Sequence, residues 1–127
     1  MTYVPYRKCG LLIPFNEVPH LFAVMNDECC DKFCLTIMIT SIRPGKYYDA
    51  ACVLDVGDHP FIKHPSYLLY RMAEITKADR ISLFVSKNYY IPKEDFSEEV
   101  FKRISAGIRI SDDTPLRIVR YADENGI

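Results

Sequence analysis

The chain has 127 residues and a formal net charge of −1; with 49% hydrophobic and 13% aromatic residues it suits a single domain with a substantial core. A sequence pI near 6.3 argues against a protein devoted to non-specific binding along a nucleic-acid backbone, which needs a basic face. Apolar runs such as LFAVM and LTIMI fall far short of the roughly 18 residues that cross a membrane. The opening MTYVPYRKCGLLIPFNEV lacks the charged, apolar, small-residue order of a secretory signal, so a cytoplasmic protein with no membrane partner is expected.

His20–Asn26 (HLFAVMN) is an apolar run closed by Asp27-Glu28 and reads as a buried strand. Cys29 and Cys30 follow in a short loop. Phe33–Ser41 (FCLTIMITS), β-branched and aromatic-rich, is the clearest strand, with Cys34, Thr36, Met38 and Thr40 on one side, and it forms a hairpin with the first. The odd cysteine count (Cys9, Cys29, Cys30, Cys34, Cys52) argues against a disulfide framework. Half a zinc pattern, Cys30-x3-Cys34, does not make a metal site; Cys34 and Cys52 read as small buried hydrophobes.

Pro44-Gly45 marks a turn, Ala51–Leu54 a third strand, and Asp55–Asp58 a further turn. Gly57–Tyr70, GDHPFIKHPSYLLY, carries two His-Pro pairs. Each His precedes a Pro, so its backbone is expected to be extended, and its ring either caps a turn or looks into a cleft. Ser66–Ile75 fits a strand apolar on both faces or a helix, and the strand is taken. Lys77–Arg80 is then a turn and Ile81–Ser86 (ISLFVS) another strand. Asp95-x-x-Glu98 resembles a capping box, and Phe96, Val100, Phe101, Ile104 and Ile108 recur at helical spacing, with Glu98 and Glu99 four residues ahead of Lys102 and Arg103. LRIVRY in the tail is read as an edge strand. The expected fold is mainly β with one C-terminal helix: one domain over residues 1–127, a small antiparallel barrel over about 9–90, the helix over about 95–110 and a tail over 111–127.

That order of elements resembles the PemK/MazF-type toxin family. HLFAVMND stands where that family's first long strand ends in an Asn-Asp turn, and FCLTIMITSIR resembles the following strand with its Ile-Thr-Ser ending and basic residues. YLLYRMAEITKADRI is similar to its strand-then-turn segment, and SEEVFKRISAGIRIS takes the place of the closing helix, so the likeness spans Pro19–Ser111. Separately, the Asp-His-Pro-Phe-Ile and Ser-Tyr-x-x-Tyr elements resemble the hallmark block of a group of small bacterial proteins. The family resemblance implies an SH3-like barrel, homodimerisation, silencing by an antitoxin protein, and metal-independent cleavage of single-stranded RNA without a cofactor. The family's Thr has a counterpart in Thr40; its Arg-Pro at the start of the first long strand is here Pro19-His20.

Cleavage through a 2′-hydroxyl needs a base, an acid and cationic donors. His20, His59 and His64 are the only side chains with ordinary pKa values near neutrality. The candidate catalytic set is therefore His20 as base or acid, Thr40 as donor, Arg43 as phosphate clamp and His59 as second titrating group. Ser41, Lys46, Lys63, His64 and Tyr67 are candidate RNA contacts, with no metal ligand among them. The alternative is a non-catalytic module of the same fold that binds a protein partner or nucleic acid.

Overall fold

A computed structural model describes residues 2–127. Seven strands form one antiparallel sheet: β1 (Gly10–Phe15), β2 (Val18–Val24), β3 (Phe33–Ser41), β4 (Val53–Leu54), β5 (Ser66–Leu68), β6 (Glu74–Lys77) and β7 (Ile91–Lys93). Three helices accompany it: α1 (Ala78–Ser86), α2 (Glu98–Ile110) and α3 (Leu116–Glu124). The expected β2–β3 hairpin is present, with Leu21 opposite Ile39 and Val24 opposite Thr36.

β3 is the hub of the sheet. One edge pairs with β2; the other pairs with β5 at Ile39–Ser41 and with β6 at Phe33–Thr36. The strand order is β4-β5-β3-β2-β1-β7. Its outermost strands are very short, two residues in β4 and three in β7, and β7 has Pro92 at its centre.

Both faces of the sheet are used, which explains why Cys34 through Ile39 are all buried. Leu21, Ala23, Leu35, Ile37 and Ile39 face α2 and α3, where Phe96, Val100, Phe101, Ile104, Ile108, Ile118 and Ala122 close the main core. Residues of the opposite parity, including Leu11, Val24 and Cys34, pack under Ala78 and Ile81 of α1 and against Tyr90. α1 covers only part of that face, and the rest is open. Cys34 and Cys52 are buried free thiols, as expected; burial pushes them up to about 12 and about 11.

Several expectations are corrected. Ile81–Ser86 is helical: Ala78, Ile81 and Val85 share one helix face, a spacing that a short apolar run hides when it is read as a strand. LRIVRY lies in α3, with Ile118 and Ala122 buried four residues apart. Ser66–Ile75 is two strands, not one. A 3₁₀ turn at Tyr70–Met72 intervenes because Tyr70 turns inward, fully buried, and donates its hydroxyl to the Ile104 carbonyl at 2.7 Å. Only Val53–Leu54 of the third expected strand pairs, and β1 and β7 lie where no strand was expected.

α2 forms as expected, but Ser97 is its N-cap, its side chain accepting from the Val100 amide. Asp95 instead accepts from the Tyr6 hydroxyl at 2.5 Å. Its charges pair outside the helix: Glu98 with Arg7 and Lys8, Arg103 with Asp58. The fold is α+β, an antiparallel seven-stranded sheet with three helices rather than one.

Candidate functional site

The open part of the α1 face holds the first candidate residues. His20 lies on β2 opposite Ile13, and one step beyond the Leu21–Ile39 pair it adjoins Thr40 on β3. Thr40 is opposite Tyr67 on β5, and Tyr67 is opposite Val53 on β4. Because side chains alternate along strands, His20, Thr40 and Tyr67 form a row across three strands on one face. Aromatic rings flank the row: Phe15 stands edge-on to His20 with centroids 6.1 Å apart, and Tyr48 lies 5.9 Å from Tyr67.

His20 is half-buried, and its Nδ1 is 3.0 Å from the Val18 carbonyl oxygen. A carbonyl only accepts, so Nδ1 carries the proton in the neutral ring and Nε2 presents a lone pair. Nε2 makes no hydrogen bond among the described residues.

The next residue along β3 begins a second group. Ser41 Oγ and His64 Nε2 are 2.6 Å apart at the strand end. The Ile42 amide donates to the Pro65 carbonyl and Ser66 Oγ to the His64 carbonyl, so this pair sits on braced backbone. Arg43 and Lys46 are the ends of a tight turn, the Lys46 amide donating to the Arg43 carbonyl at 3.1 Å. Pro44 and Gly45 occupy its middle, Gly45 with φ of +74°, the left-handed conformation that a type II turn asks of that position. Arg43, Lys46 and Lys63 are all exposed.

His59 does not join them. It is 2% exposed and uses both ring nitrogens: Nε2 is 2.7 Å from the Glu94 carbonyl oxygen, and Nδ1 accepts from the Phe61 amide at 3.0 Å. Its ring packs on Phe96 with centroids 4.7 Å apart and lies against Gly10, on the face covered by α2. The sheet separates it from His20 and Thr40.

Beside the row lies a groove of about 660 Å³ that sequence reasoning missed. Ile13, Phe15, Phe22, Met38 and Met72 give it apolar walls, and Glu74, Lys77 and Arg80 give it charge. Met38 shares parity with Thr40, which is a usable signal. The groove stays hidden when α1, which contributes Arg80 and Ile81, is read as a turn and a strand.

A scan against models of known protein families finds no match, and no curated protein matches the chain significantly.

Proposed function

We propose that this protein is a toxin-like endoribonuclease of the PemK/MazF type, cleaving single-stranded RNA through the 2′-hydroxyl without a metal or cofactor. The carrying observation is the row His20–Thr40–Tyr67 on one exposed face, with the lone pair of His20 Nε2 unengaged. His20 takes the 2′-hydroxyl proton, and the 2′-oxygen attacks phosphorus. The P–O5′ bond breaks, leaving a 2′,3′-cyclic phosphate and a 5′-hydroxyl.

Thr40 and the paired cations Arg43 and Lys46 stabilise the charge that builds on the phosphorane, where donor electrostatics contribute most. Ser41 alternates with Thr40 and holds His64 toward the other face of β3, so His64 serves as an RNA contact at the strand end. The departing 5′-oxygen takes its proton from water rather than from the buried His59. Tyr67 and Tyr48 offer stacking surfaces to unpaired bases, and Lys63 adds charge. None of these residues is a carboxylate, so the set supplies a base, donors and cations. Two strands, β5 and β6, share one edge of β3, which supports reading the sheet as a curled, SH3-like barrel. On this reading the protein acts in the cytoplasm as a homodimer and is silenced by an antitoxin protein.

The apolar groove favours a second reading, a non-catalytic module that binds a protein partner. Incubating the purified protein with labelled RNA in EDTA separates the two. Cleavage should survive chelation, leave cyclic-phosphate ends and fall about 10²-fold or more in His20→Ala, the scale of lost general-base assistance. No cleavage, together with normal growth of cells overexpressing the protein, would leave the binding module.

A further inference from the structure

The groove beside His20 holds two opposite charges that do not meet. Glu74 is opposite Thr36 on β3, so it lies on the same face of the sheet as Met38 and Thr40. Arg80 comes from α1, its guanidinium 5.3 Å over the Phe84 ring. Both line the groove and both are exposed. Neither makes an ion pair among the described residues, with the other or with any third group. Lys77, opposite Phe33 and so of the other parity, adds positive charge at the Arg80 end.

The remaining walls are apolar, with the rings of Phe15 and Phe22 and the thioether of Met38 offering stacking surfaces. The volume of about 660 Å³ is in the range that holds a small organic group. A flat heterocycle with donors on one edge and acceptors on another suits such a place. Among the four RNA bases, guanine carries that pattern in full. Its N1–H and N2 amino group donate side by side, and its O6 and N7 accept side by side. A carboxylate accepts both donors at once, and a guanidinium donates to both acceptors. Adenine would turn its N1 lone pair toward the carboxylate, and uracil would turn two carbonyls toward it. Cytosine brings a single amino group.

We infer that the groove is a guanine subsite. Glu74 accepts from N1 and N2, Arg80 donates to O6 and N7, and the ring lies against Phe15 and Phe22. The inference rests on the ribonuclease reading for its ligand, an unpaired RNA strand, and gives that reading a base preference. The guanine belongs to a nucleotide next to the scissile phosphate, because the groove begins at the proposed general base. Ile13, opposite His20, and Phe15, edge-on to it, both line the groove. Thr36, beside Glu74, is four residues from Thr40, roughly 13 Å at about 3.3 Å per residue. One nucleotide and the Glu74 side chain together span that distance.

Uridine pentanucleotides with G, A, C or U at the centre, 2′-O-methylated to block cleavage, are the probes, with binding read by fluorescence anisotropy. The guanosine oligonucleotide should bind on the order of 10-fold or more tighter than the other three, the scale of one or two bidentate contacts. Glu74→Gln and Arg80→Met should each erase most of that preference and leave the ranking of the other three unchanged. With unmodified RNA, cleavage should fall beside guanosine. Guanosine-selective binding without any cleavage would sink the ribonuclease reading and leave the subsite standing. Cleavage indifferent to guanosine, preference for another base, equal binding of all four or no binding of any would overturn the subsite. So would a guanosine preference that both variants retain.

Discussion

His20 and His59 are chemically the same residue on opposite sides of one sheet. His59 has given both nitrogens to backbone groups and lies under Phe96; His20 has given one and keeps the other. The His-Pro pairing pointed to a stiffened backbone, but which ring is spent on structure depends on Glu94, 35 residues away, and no local pattern carries that. Tyr70 and Gly107 show the same long reach. A Cβ on Gly107 would overlap the Tyr70 hydroxyl oxygen and lie 2.6 Å from its Cζ, in a part of the core with no spare room. Gly107→Ala should therefore cost about 1–3 kcal/mol despite its better helix propensity, measured by urea denaturation. Tyr70→Phe, which orphans no buried donor but removes the bond to Ile104, should cost about 1 kcal/mol. Measured together the two should fall short of their sum, because the second removes part of what the first collides with.

At the level of single elements, β2, β3 and the apolar face of α2 could be read directly, because each is long enough for its period to be unambiguous. Ile81–Ser86 in α1 and LRIVRY in α3, each part of a nine-residue helix, read as strands from the sequence alone. Each has a short β-branched or aromatic run, and its helical state is set by packing on a sheet whose edge is already occupied. The start of α2 offers a test of how a helix boundary is chosen. Ser97, not Asp95, supplies the capping oxygen, so Ser97→Ala should lower stability by about 1 kcal/mol in thermal or urea unfolding. Asp95→Ala should leave the helix start intact and release only the Tyr6 hydroxyl.

Across the whole molecule, the N-terminal arm is tied to α2 by charge. Arg7 makes a two-pronged contact with Glu98, at 2.8 and 3.1 Å, and stacks 4.2 Å over the Phe101 ring, while Lys8 reaches the same carboxylate at 3.2 Å. Hydrogen bonds from Arg7 and Lys8 hold Glu98 at about 2, below its ordinary 4.5. A carboxylate with a depressed folded pKa stabilises above its unfolded pKa, and that contribution is lost as pH falls from about 4.5 through about 2. Glu98→Gln should therefore flatten that stretch of the acid limb in a stability-versus-pH series, with wild type and variant converging near pH 2. Identical slopes would show that these charges do not hold the arm. The three-layered arrangement itself was legible only in part: the all-buried run in β3 requires cover on both faces, yet the sequence reading allowed a single helix to provide it.

The lengths of the outer strands bear on how copies of this protein meet. β4 offers two residues and β7 three with a central proline, while the stretch of β1 beyond β7 carries Pro14. A short or proline-interrupted border is a poor template for another chain's backbone. Continuous intermolecular sheets along these borders are thereby discouraged, and the homodimer proposed above would be built through side chains, face against face.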